Sequence, residues 1–265
     1  MSRRARPARP ALSQPTGPHV RLGIVWAVVT SGMLLAGTVW TAAWLAVVAA
    51  MAAGTAMRTW GSPAVATRAA HNHRARVQPP AAVAAVFAAV ITLSALGGGR
   101  VMTMVTAAAT ITLVGAAVFG PLGRPGVLRR VVIVAGPGLA AGSLVLARSQ
   151  SLATGLVLAG MVTVYDSSAY LIGSGAPNRW EGSVAGAASI AALTLFVAAV
   201  VSPPFSGATP WLFGAAAVLL APLGPAVGRW VTGDKAAPVP ALRRLDSLIL
   251  LGPVWVAAVA LLLHR

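Results

Sequence analysis

The chain contains no cysteine, and only four of its 265 residues are acidic. Without cysteine there can be no disulfide framework, no thiolate nucleophile and no cysteine-ligated metal. Charged residues make up only 9% of the chain, against about 25% in an average soluble domain. That scarcity excludes an ordinary soluble globule, and the 57% hydrophobic content excludes a disordered chain. No Ser/His/Asp hydrolase pattern is present. Gly97-Gly98-Gly99-Arg100 is a tight turn and not a phosphate loop, because no GxxxxGK[ST] follows it. His71-Asn72-His73 has no nearby acid and reads as basic loop.

In place of charge the sequence has long apolar runs, with a mean hydropathy of +0.82. An all-α, polytopic integral membrane protein is the class these runs predict. Leu22–Met57 holds 36 residues without a formal charge. This is too long for a signal-peptide core of about 7–15 residues and too long for one span of about 20. Two helices turning near Gly37-Thr38 are expected there. Further charge-free spans are Pro80–Gly97, Met102–Gly120, Val131–Ala147, Leu152–Gly173, Ser183–Val201, Pro210–Val227 and Ser247–Leu263, giving about nine transmembrane helices. Residues 1–20 read as a disordered basic arm, 21–147 as an N-terminal helical region and 148–265 as a C-terminal region carrying the chemistry.

The net charge of +16 could by itself suggest nucleic acid. Its distribution argues otherwise. With the N-terminus in the cytoplasm and the spans alternating, 17 of the Lys and Arg residues fall inside and three outside. This is the positive-inside bias, so no nucleic-acid partner is expected. The expected location is the cytoplasmic (inner) membrane, with the polar loops of the site on the cytoplasmic side.

The acids, Asp166, Glu181, Asp234 and Asp246, all lie in the last hundred residues, in or beside the last two inner loops. Asp166 falls inside an apolar span, where an ionised carboxylate costs about 2.5–3.5 kcal/mol at helix-centre depth. Such a residue faces a wet cavity, a cation or a neighbouring helix. Bland readings exist for the others. Trp180 can anchor at the interface, Glu181 can pair with Arg179, and Asp246 can cap the last helix. Carboxylates mixed with Arg and Lys on one membrane face also suit a divalent metal and phosphates.

Three segments carry a resemblance. They are Asp166-Ser167-Ser168-Ala169-Tyr170, Trp180-Glu181-Gly182, and Arg243-Arg244-Leu245-Asp246-Ser247-Leu248. In this order they resemble the motifs of the CDP-diacylglycerol synthases, the phosphatidate cytidylyltransferases. The resemblance covers roughly residues 150–265; before that it is one of general architecture. It implies transfer of CMP from CTP to the phosphate of phosphatidic acid, an anionic membrane lipid, with release of pyrophosphate. It implies Mg²⁺, alone or with a second cation, held by Asp246, Asp166 and Glu181. Asp246 and Asp166 would be catalytic. Arg244, Arg243, Lys235, Arg229, Arg179, Glu181 and Ser167 would bind substrate. A homodimer is one assembly left open.

The chain also departs from the family pattern. Arg243 stands where the signature has its first Asp, and Ala236-Ala237-Pro238-Val239-Pro240 replaces a segment that holds a His. Gly228-Arg229 stands for a Lys-Arg pair, and Asp234-Lys235 reverses a Lys-Asp. Two alternatives follow: a catalytically silent homologue acting as membrane scaffold or partner, and a transporter using Asp166.

Overall fold

Every regular element among the described residues is helical, because apolar runs of Ala, Leu and Val must satisfy their backbone polar groups internally when they leave water. The computed structural model describes residues 17–60, 80–119, 126–174, 176, 178, 180–232 and 240–262, with only the backbone for residues 17–22 and 240. The helices are α1 (Gly17–Ala36), α2 (Thr38–Trp60), α3 (Ala81–Ser94, extended by a 3₁₀ turn Ala95–Gly97), α4 (Gly99–Val118) and α5 (Val127–Gln150). They continue as α6 (Leu152–Gly173), α7 (Glu181–Val200), α8 (Thr209–Leu220), α9 (Leu223–Thr232) and α10 (Pro240–Leu262).

The turn expected near Gly37-Thr38 is at Gly37, whose φ of +119° is open to glycine and strained for other residues. The first helix starts at Gly17, inside the stretch read as a basic arm; residues 1–16 lie outside the described residues. The last helix is also longer than expected. It starts at Pro240, a residue suited to a first helical turn, so Asp246 lies within α10 and does not cap it.

Among the described residues, seven helical segments are long and apolar enough to cross a membrane: α2, α4, α5, α6, α7, α8 with α9 taken as one stretch, and α10. Two more, Gly23–Ala36 and Ala81–Gly97, are apolar but shorter. The described residues are therefore all-helical apart from their turns, and their apolar helices have the character of a membrane protein.

Burial separates the helices by role. Helix α5 is the central one: 83% of its membrane-length stretch is buried, against 22% for α4 and for α7. Helices α2, α3, α6 and α10 pack around it. The apolar side chains that α4 and α7 leave exposed, such as Met104, Ile111, Leu195 and Phe196, suit contact with lipid.

The helices alternate in direction. As a result, the end of α2, the start of α5, the end of α9 and the start of α10 meet at one end of the bundle. Contacts of Arg129 with Trp60 and Trp230, and of Asp246 with Gly228, record this convergence. The opposite end holds Arg148, whose Nε donates to the Leu34 carbonyl at 2.6 Å.

Candidate active site

Asp246 and Ser247 are neighbours in α10 and point about 100° apart around the helix. The two side chains therefore meet different partners. Ser247, fully buried, donates its hydroxyl to Asp166 Oδ1 on α6 at 2.6 Å. Asp246, 7% exposed, lies against α9. A Cβ built on Gly228 would stand 2.6 and 2.7 Å from its two carboxylate oxygens. The charge of Asp166 acts on Asp246. Residues 81 positions apart in sequence thus share one site.

Helical spacing also places the cations. Arg243 and Asp246 are three residues apart, on one face of α10, as are Arg244 and Ser247. Arg243 and Arg229 act electrostatically on Asp246, and Arg244 acts on Asp166. The Arg244 guanidinium also reaches α1, where a Cβ on Gly23 would lie 3.4 Å from Nη1. A cavity of about 20 Å³ opens between α1, α6 and α10, lined by Gly23, Trp26, Thr163, Asp166, Ser167 and Arg244 among others. That volume holds about one water or one ion.

The donor set can be weighed against Mg²⁺. This ion takes oxygen ligands, commonly one or two carboxylates, and keeps several waters. Asp166 and Asp246 supply two carboxylates. Asp246 Oδ1 is buried without a hydrogen-bond partner among the described residues, an arrangement that is costly unless something else satisfies it. The pair fits Mg²⁺. The expected trio of carboxylates does not form: among the described residues no group of three or more His, Cys, Asp or Glu is close enough to hold a metal.

Glu181 is the carboxylate left out. It opens α7, and its Oε1 accepts from Asn178 Nδ2 at 2.7 Å. The next residue, Gly182, packs on Gly173 at the end of α6. Gly173 is seven residues beyond Asp166, or about 10 Å along the helix at 1.5 Å per residue. The order of the motifs in the sequence carried no information about this distance.

Of the expected substrate-binding residues, Arg229, Arg243, Arg244 and Ser167 surround the two aspartates, with Ser167 on the cavity wall. Arg179 and Lys235 lie outside the described residues, as do Asp234, His71 and His73.

The structure adds residues that sequence reasoning missed. Gly224 and Gly228 form one small-residue stripe on α9. A Cβ at Gly224 would collide with the Asp246 backbone carbonyl. The signal was present as Gly224-x-x-x-Gly228, a spacing that lets helix backbones approach closely. Gly23 and Trp26 of α1 wall the cavity, which no pattern in the sequence indicated.

No protein-family model matches the chain, and neither a curated protein nor a solved structure does.

Proposed function

We propose that this chain transfers CMP from CTP to the phosphate of a membrane lipid, phosphatidic acid, giving CDP-diacylglycerol and pyrophosphate. The observation that carries the reading is the Ser247–Asp166 hydrogen bond, which joins the first and last of the three sequence segments in space.

In this reaction a phosphate oxygen of the lipid bonds to the α-phosphorus of CTP. The bond from that phosphorus to the oxygen bridging to the β-phosphate breaks, and pyrophosphate leaves. Both reactants are anionic, so the site must offset their repulsion. Arg229, Arg243 and Arg244 present guanidinium donors, which suit phosphate oxygens. Asp166 and Asp246 would hold Mg²⁺. Bound there, Mg²⁺ supplies charge neutralisation on the phosphates and the departing pyrophosphate. Ser247 fixes Asp166 Oδ1, leaving Oδ2 without a bond from that hydroxyl. Glu181 is assigned no part in the metal site.

We further propose nine membrane crossings in an inner membrane, with the N-terminus and the site on the cytoplasmic side. A homodimer is compatible with the exposed faces of α4 and α7.

The test is direct. Purified protein in detergent, given labelled CTP, Mg²⁺ and phosphatidic acid, forms CDP-lipid, and Asp166→Asn and Asp246→Asn each abolish it. No product with phosphatidic acid or other lipid phosphates would overturn the reading. A second reading, a silent homologue serving as scaffold or partner, is favoured by the small size of the cavity, about 20 Å³. It predicts no Mg²⁺-dependent binding of CTP.

A further inference from the structure

A second, larger recess lies at the same end of the bundle as Asp246. Its volume is about 450 Å³, and it is lined by Gly126, Val127, Leu128 and Arg129 at the start of α5 and by Trp230 at the end of α9. Arg129 is held in place from several directions. Its Nε donates to the Trp230 carbonyl at 3.1 Å, and Nη2 donates to the same oxygen. Its guanidinium carbon stands 5.9 Å from the ring centroids of both Trp60 and Trp230, in reach of cation–π attraction.

This clamp uses one edge of the guanidinium. Of the five N–H donors on an arginine, those of Nη1 have no hydrogen-bond partner among the described residues and would face a ligand in the recess. None of the described acids, Asp166, Glu181 or Asp246, acts on this charge. A guanidinium fixed in this way, with no acid acting on it among the described residues, suits a phosphate oxygen.

The rim gives the rest of the ligand. Leu128 is 66% exposed and Trp230 is 49% exposed, both beside the cation. Tryptophan at the end of a membrane-length helix sits at headgroup depth. A phosphate group alone would use the arginine and gain nothing from the apolar rim. A phospholipid uses both.

We propose that this recess binds the phosphate of an anionic phospholipid headgroup, with the acyl chains lying along Leu128 and Trp230. The site is separate from the two aspartates and does not depend on CMP transfer.

Phosphatidylglycerol is the probe, because phosphatidic acid would also enter the Asp166–Asp246 site. The full chain in detergent is titrated with phosphatidylglycerol, with phosphatidylcholine and with inorganic phosphate. Retained lipid is read by native mass spectrometry and stabilisation by thermal unfolding. The expected result is binding of phosphatidylglycerol about ten-fold tighter than phosphatidylcholine, falling to the phosphatidylcholine level in Arg129→Ala.

Arg129→Ala also removes the link between α5 and α9. Leu128→Glu therefore serves as the second variant, since its exposed side chain takes no part in that link. It places a carboxylate beside the guanidinium and should produce the same loss. Equal phosphatidylglycerol binding by the wild type and Leu128→Glu overturns the site. Stabilisation by inorganic phosphate as large as that by phosphatidylglycerol overturns the lipid assignment.

Discussion

Gly228→Ala is the substitution whose consequence is best determined by the geometry. The added Cβ would lie 2.6 and 2.7 Å from the Asp246 carboxylate oxygens and 2.8 Å from the carbon between them. Ordinary contact begins near 3.4 Å, so something must move by about 0.6–0.8 Å. Helix α9 has little freedom to absorb this, because Gly224 already sits on the Asp246 backbone carbonyl one turn away. The carboxylate therefore moves, or the two helices separate. Overpacking of this kind costs about 1–3 kcal/mol of stability. A misplacement near 1 Å in a reacting constellation costs about 10²-fold in rate. Thermal unfolding followed by tryptophan fluorescence, together with CDP-lipid formation at saturating CTP, measures both effects. Gly115→Ala is the control: a Cβ there has nothing within 4 Å, so helix propensity alone should leave stability equal or raised by about 0.5–1 kcal/mol. If Gly228→Ala behaves like Gly115→Ala in both assays, the close seating of α9 on Asp246 is refuted.

Ser247→Ala removes the buried hydroxyl that holds Asp166 and should destabilise the protein by about 1–3 kcal/mol; a denaturation midpoint unchanged from wild type would contradict the 2.6 Å bond. Trp255 packs on Phe205 and Phe213, with centroid separations of 6.1 and 4.4 Å, and its Nε1 has no hydrogen-bond partner among the described residues. Trp255→Phe should therefore cost less than about 1.5 kcal/mol, and Trp255→Ala about 3–5 kcal/mol. Equal thermal shifts for the two variants would show that the ring does not fill that space.

Much of the fold was legible because charge-free runs and helix spans obey the same length rule. Gly37 marked the first turn, and of Gly97–Arg100, read as a turn between helices, Gly98 alone lies between α3 with its 3₁₀ turn and α4, which already holds Gly99 and Arg100. Boundaries beside charged residues were less legible. Arg129 and Arg130 lie inside α5, and Arg243 and Arg244 inside α10, because a helix continues past the apolar core as far as its backbone is satisfied. The span Pro210–Val227 is divided at residues 221–222 and runs on to Thr232, a break that hydropathy does not record.

The candidate site was legible as a set of residues and not as a geometry. Asp166, Asp246, Ser167, Arg229, Arg243 and Arg244 gather at one end of the bundle. Glu181 does not join them, because the stretch of α6 between Asp166 and Gly173 separates it from the pair. Gly224 and Gly228 read as packing residues, and only the path of α9 shows which carboxylate they face.

Mn²⁺ binding, followed by electron paramagnetic resonance in place of Mg²⁺, tests the two-aspartate site most directly. The wild type and Glu181→Gln should bind the ion alike, while Asp166→Asn and Asp246→Asn should each lose it. No binding by the wild type, or a loss in Glu181→Gln equal to that in Asp246→Asn, would contradict a site built on this pair.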